Sequence, residues 1–373
     1  MPGIFETSFL GRMTLRNRTV RSATWEGLAD QEGFVRPELV EKMAELARNS
    51  VGLIIPGYLY VARDGRGLPW QTGVWDDAHT DGLSRIAKAV HREGGVVAAQ
   101  LAHAGGRTRP ELIEGQRPMA PSAVEGFAFG DTPREMTLGE IEGVVSSFAR
   151  AARRVKEAGF DAVQLHAAHN YLISQFLNPL VNRRQDVYGG SPERRRSFLL
   201  EVYDAVREEV GEGFPLLIKI NTTDGPEGGI TPGEALEAVR ALVDRGLDAV
   251  EVSGGMAGSD RYRASRKGIS TASQEAYFRP AATLFKQKLD IPVILVGGIK
   301  SYEIAEDIIL SRDADYVSFS RALICEPGLI LRWRQGDRRS AKCLSCNLCL
   351  GEGLKGSGIS CAGMEKIENK TER

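Results

Sequence analysis

His166, His169 and Tyr171 stand within one short stretch, DAVQLHAAHNYLISQFLNPLVNRRQDVYGGSPERRR, from Asp161 to Arg196. Imidazole N–H groups can donate to a substrate oxygen, and a phenol can release a proton. Together the three could stabilise an oxyanion and protonate the neighbouring carbon. That is equipment for reducing a carbon–carbon double bond beside a carbonyl. Taken alone, two such histidines are more often satisfied polar core groups or a metal pair, although zinc-binding helices favour the H-E-x-x-H spacing.

To act together these side chains must leave one rigid element. The apolar run Ala162 to Leu165 reads as a buried strand that delivers His166 at its end. The same beat of short apolar strand, loop and amphipathic helix recurs along the chain. Candidate strands are Val20 to Thr24, Gly52 to Tyr60, Val96 to Leu101, Ala162 to His166, Leu216 to Asn221, Ala249 to Ser253, Val293 to Gly297 and Tyr316 to Ser320. They number eight, at which parallel strands close around their own side chains.

Between them, Ile141, Val144, Val145, Phe148, Ala152 and Val155 recur at helical spacing. Thr137 with Glu140 suits the helix start, and Gly159 its left-handed stop. AGFDAVQLH, from Ala158 to His166, is echoed by RGLDAVEVS, from Arg245 to Ser253. A doubly wound sheet would need a glycine-rich turn after the first strand, and Ser22 to Gly27 reads SATWEG. The expected fold is therefore α/β: a (β/α)8 TIM barrel, with Met1 to Arg18 as an N-terminal hairpin or lid. Its active site would lie at the strand C-terminal ends, so His166, Lys219 and Gln100 should converge.

Composition narrows the partners. The chain has 373 residues, with 48 basic against 49 acidic side chains, so no net field favours nucleic acid or an anionic membrane. A small molecule is the expected partner. No run of about 18 apolar residues occurs, and MPGIFETSFLGRM lacks the features of a signal peptide; a soluble, cytoplasmic protein is expected.

Two further features suggest an anion. Gly297 and Gly298 follow the seventh strand, and Ser320 and Arg321 follow the eighth, the usual barrel phosphate site. A tight turn with a surface arginine is the plainer alternative, and a sugar phosphate would fit as well. Lys219 lies in an otherwise apolar strand, LIKIN, where a buried cation needs a partner; a bound anion would supply it.

The run HAAHNYLISQFLNPLVNRRQDVYGGSPERRRSF resembles the signature of the old yellow enzyme family of flavin oxidoreductases: His-x-x-His or His-x-x-Asn, a Tyr two residues on, then FL-x-P, N-x-R and D-x-YGGS-x-E-x-R. The resemblance extends from Phe5 to about Trp333. It implies an FMN-binding barrel over residues 1–335 that reduces the double bond of an enone or enoyl thioester, with electrons from NADH or NADPH. His166 and His169 would hold the carbonyl oxygen and Tyr171 would donate the proton. Lys219 replaces the arginine that the family usually sets beside the flavin pyrimidine, and Gln100 would bond the ring edge. Either Thr24, in the segment Ser22, Ala23, Thr24, Trp25, would bond the flavin O4, or Trp25 would narrow the pocket. Tyr58 would shape the substrate side. Substrate choice would rest on loops such as Arg107 to Gly130 and Thr222 to Ile230, and the resemblance implies a homo-oligomer.

Four of the five cysteines, Cys343, Cys346, Cys349 and Cys361, crowd into a glycine-rich segment in residues 336–373. Such clustering favours a metal site over a disulfide framework, and four thiolates suit an iron–sulfur cluster or a structural zinc. The spacing, with Asn347 after the second cysteine, resembles the 4Fe-4S motif of the 2,4-dienoyl-CoA reductase and trimethylamine dehydrogenase branch. Members of that branch continue into domains for a second flavin and a nicotinamide, whereas this sequence runs about a dozen residues beyond Cys361. The resemblance thus implies either a separate electron-transfer protein or a cluster kept as a structural staple. It also admits a dehydrogenase or demethylase that passes electrons to a carrier, or a non-catalytic redox carrier. Cys325 stands apart and reads as a small core residue.

Overall fold

The computed structural model describes residues 3–126, 132–256 and 261–363, so 127–130 of the first substrate loop lie outside the described residues. Eight parallel strands form a closed barrel, a (β/α)8 TIM fold. They are β1 (Thr19–Thr24), β2 (Leu53–Pro56, continued by Tyr58–Tyr60), β3 (Val96–Ala102), β4 (Ala162–Ala167), β5 (Leu216–Asn221), β6 (Ala249–Ser253), β7 (Val293–Val296) and β8 (Tyr316–Phe319). Each pairs with its sequence neighbours, and β8 pairs with β1 to close the ring. The second strand, read as continuous from Gly52 to Tyr60, is broken at Gly57. Its second piece pairs with β3, Tyr58 opposite Gln100.

The intervening helices form as their sequences dictate. Thr137 and Glu140 complete a reciprocal capping box on the helix Leu138–Glu157, and Gly159 follows at φ +86°. Ile141, Val144, Phe148, Ala152 and Val155 are its buried stripe. Thr231 and Glu234 repeat the same cap on Pro232–Val243. The aspartate in the sequence echo has a structural task. Asp161, Asp248 and Asp315 each precede an even-numbered strand and accept, at 2.8 Å, the N–H of Val97, Leu216 or Val293 on the strand before it. Backbone donors at the lower rim are thereby satisfied three times by one device.

Inside the barrel, successive inward positions lie two residues apart. The lowest layer is apolar: Val20, Ala98, Ala162, Leu217, Ala249 and Tyr316 pack with Leu10, Met13 and Leu15 of the N-terminal hairpin. That hairpin pairs Ser8–Leu10 with Met13–Leu15 and fills the bottom. Two residues further along the same strands the layer turns polar: Ser22, Gln100, Gln164, Lys219, Glu251 and Ser318, all buried. This is the floor of the site.

Candidate active site

Above the floor, β4 carries His166, and the chain then bends sharply. His169 and Asn170 adopt left-handed backbone at φ +59° and +62°, which brings Tyr171 back as the cap of the helix Leu172–Leu177. The His169 N–H donates to Asn221 Oδ1 at 3.1 Å, and Asn221 Nδ2 donates to Asp224 Oδ1 at 2.8 Å. Burial lifts the Asp224 carboxyl to about 6, against its bonds from Ile230 and Asn221.

The result is a cluster of rings. His166 lies 4.6 Å from Tyr171 and 5.3 Å from His169 between centroids, and Tyr58 lies 5.2 Å from Tyr171, edge on. Burial, then the neighbouring Lys219 and Arg107, drives the His166 pKa well below its ordinary value. Burial, then His166, Lys219 and Arg107, does the same for His169. Both imidazoles are therefore neutral near pH 7. His169 Nε2 lies 2.8 Å from Ser253 Oγ, while His166 Nδ1 is buried with no hydrogen-bond partner among the described residues. An unpaired buried polar atom is costly, which suits an atom kept for a ligand. Burial first, then Tyr171, raises the Tyr58 phenol well above its usual range.

Every barrel candidate named above borders one cavity of about 860 Å³. Ser22, Gln100 and Lys219 form part of its floor. Thr24 Oγ1 meets Ser320 Oγ at 2.8 Å, and Trp25 is held by its Nε1 donating to Pro69 O at 3.0 Å. Gly297 and Gly298 adopt φ +150° and +73°. A Cβ on Gly298 would collide with Ile269 and Tyr277, so the backbone here is bare by necessity. Arg321 completes the wall and is itself tied to Arg266 O and Asn347 Oδ1.

Several residues here escaped the sequence reading. Lys219 has its anionic partner within the protein: Glu251, opposite it in register on β6, accepts from Nζ at 3.1 Å. The expectation that a ligand would supply that partner is corrected accordingly. Arg107 stands 5.0 Å over the Tyr171 ring. A charged residue in the apolar strand AVEVS was the available signal for Glu251; Arg107 lies on a loop with no periodicity to mark it.

The C-terminal segment folds back over the same cavity. Leu350, Leu354 and Ile359 form part of its wall, and Ile359 N donates to Glu26 O at 2.8 Å. Cys343, Cys346, Cys349 and Cys361 border a second, small cavity, and Cys343 and Arg321 border both. Among the described residues no three His, Cys, Asp or Glu side chains stand in metal-ligating geometry. Burial pushes the thiols of Cys343 and Cys349 upward. Cys325 is only partly buried, and burial first, then the neighbouring Cys361 thiol, pushes its own thiol upward, so it stands with the other thiols and not in the core.

A family model described as the NADH:flavin oxidoreductase / NADH oxidase family matches residues 3–339. The chain belongs to this family, that of old yellow enzyme. Membership implies FMN and NAD(P)H, and the residues present fit that group. Bare glycines and Arg321 offer a phosphate cradle, the floor offers the Gln100 amide and a cation, and His166 Nδ1 awaits a partner. The chain is 37% identical over 354 residues to an NADH oxidase of Thermoanaerobacter brockii, covering 94% of this chain and 54% of that protein. It is 33% identical to a 4,4'-dithiodibutanoate disulfide reductase of Rhodococcus erythropolis, covering 94% and 92% respectively. A solved complex of 2-naphthoyl-CoA reductase with 2-naphthoyl-CoA superposes with a TM-score of 0.85 at 26% identity, covering 92% of this chain and 55% of that one. The chain thus spans about half the length of the first and third. No described helix is long and apolar enough to cross a membrane.

Proposed function

We propose that this member of the old yellow enzyme family is an FMN-dependent ene-reductase that reduces the double bond of an α,β-unsaturated carbonyl compound or enoyl thioester with electrons from NAD(P)H. The observation that carries this reading is the convergence of neutral His166 and His169 with Tyr171 in the cavity that also holds the Lys219 floor and the Gly297–Gly298 cradle. Gln100, Lys219 and the Ser22 to Trp25 segment would hold the flavin ring; Gly297, Gly298, Ser320 and Arg321 would hold its phosphate. Bound FMN supplies hydride chemistry.

The protein's own residues do the rest. His166 and His169, as neutral donors, hold the substrate carbonyl oxygen and stabilise negative charge as it develops there. Tyr171 delivers its proton to the α-carbon. Arg107 stands over the ring that gives up the proton, where a cation favours the negative charge left behind. Tyr58, packed on both Tyr171 and His166, would shape the substrate side of the cavity.

The test is anaerobic mixing of the purified holoprotein with NADH or NADPH and then with 2-cyclohexenone. Bleaching of the flavin bands by the nucleotide and their recovery on adding the enone, with cyclohexanone as product, is the expected result. A bound flavin that the enone does not reoxidise would sink the reading.

For the C-terminal segment we propose a 4Fe-4S cluster held by Cys343, Cys346, Cys349 and Cys361. The shared border at Cys343 and Arg321 favours this over zinc, because only a redox centre gains from lying beside the flavin cavity. Such a cluster would supply one-electron chemistry, for which a separate carrier, as for a flavin and iron–sulfur dehydrogenase, would be the partner. Zinc without iron or acid-labile sulfide in anaerobically purified protein would reject the cluster.

A further inference from the structure

Glu251 is fully buried in the barrel floor, and four donors surround it. Its Oε1 accepts from Ser22 Oγ at 2.7 Å, Ser318 Oγ at 3.0 Å and Lys219 Nζ at 3.1 Å; its Oε2 accepts from Gln164 Nε2 at 3.1 Å. Lys219 also donates to Ser22 Oγ at 2.6 Å. The ammonium that borders the cavity therefore carries a compensating negative charge directly beside it.

A carboxylate only accepts, and this dictates the direction of every bond that leads away from it. Gln164 must turn its NH₂ toward Glu251, which leaves its carbonyl oxygen to accept from Gln100 Nε2 at 2.6 Å. Gln100 has then spent one N–H inward, and its carbonyl oxygen, which accepts no bond from the described residues, is available to a ligand. That is the polarity required by a ring edge presenting an imide N–H, while Lys219 supplies the positive charge needed by an adjacent carbonyl or developing anion.

We propose that Glu251 is a positioning residue that sets both the charge and the hydrogen-bond polarity of the cavity floor, and so holds down the reduction potential of the bound flavin. The inference rests on FMN lying over this floor. Reduction adds electron density to the ring, which Lys219 attracts and Glu251 opposes through the same ammonium.

The test is spectroelectrochemical titration of the FMN-loaded protein. Glu251→Gln is expected to favour the reduced over the oxidised form by at least about tenfold, a positive shift of about 30 mV for a two-electron couple. Lys219→Gln should move the potential the opposite way, and the double variant Lys219→Gln/Glu251→Gln should return toward the wild type. A Glu251→Gln protein that keeps FMN with an unchanged or lower potential overturns the proposal. Should that variant fail to fold, the double variant, which buries no unpaired charge, must titrate above Lys219→Gln for the proposal to survive. Wild-type protein that takes up no FMN would overturn the underlying reading instead.

Discussion

Arg321 and Asn347 join the barrel to the cysteine segment: Arg321 Nη1 donates to Asn347 Oδ1 at 2.8 Å, and Asn347 Nδ2 donates on to Ser265 O at 2.8 Å. The side chain that we propose as the phosphate clamp after β8 also holds the loop between Cys346 and Cys349.

Arg321→Ala should therefore cost two things at once. Loss of a charge-assisted contact of about 1.5–3 kcal/mol predicts FMN binding weaker by roughly one to two orders of magnitude. Loss of the Asn347 anchor predicts a lower iron content in the same preparation. Fluorescence titration of FMN and an iron assay measure the two, and weaker FMN binding with unchanged iron would show the tie to be incidental.

Tyr171→Phe keeps the ring packing against His166 and Tyr58 but removes the proton. Enone turnover is expected to fall by about 10²–10⁴-fold, with nucleotide-driven bleaching of the flavin unchanged. Stopped-flow measurement of the two half-reactions separates these, and an equal loss in both would point to disrupted packing.

Stability should fall on mild acidification. The unfolded chain protonates both imidazoles as pH drops through about 6.5, while the folded chain holds His166 and His169 neutral to well below that value. The unfolded state then binds more protons, so unfolding becomes easier by up to about 1.4 kcal/mol per pH unit for each histidine. Asp224, with its folded pKa at about 6, takes up a proton before the unfolded chain does and offsets part of this loss below that pH. Urea midpoints at pH 7.5 and 6 measure the effect, and replacing both histidines with asparagine should flatten it.

Cys346→Ser tests the cysteine segment with little effect on the flavin cavity, since Cys346 borders only the smaller space. Iron and acid-labile sulfide should be lost while FMN stays bound. Retention of iron at the wild-type ratio would remove Cys346 from the ligand set.

The barrel was legible because short apolar strands alternate with amphipathic helices, one of which carries its own cap at Thr137. The ring cluster was legible because three chemically distinctive side chains leave one strand end. What was missed depends on contacts between distant strands. Gln164 and Glu251 occupy the same place in the echoed segments, yet their linkage with Lys219 exists only once β4, β5 and β6 pair in register. Cys325 reads as a small core residue for the same reason, as nothing local to it announces the neighbouring Cys361. Gly57 shows the opposite failure: an apolar run that reads as one strand hides a break that re-aims Tyr58 toward Gln100.

The N-terminal hairpin has a kinetic consequence. With Leu10, Met13 and Leu15 stoppering the barrel from below, the nucleotide and the acceptor would use one door over the same floor. One must leave before the other enters. Double-reciprocal plots should then run parallel, and each substrate in excess should compete with the other.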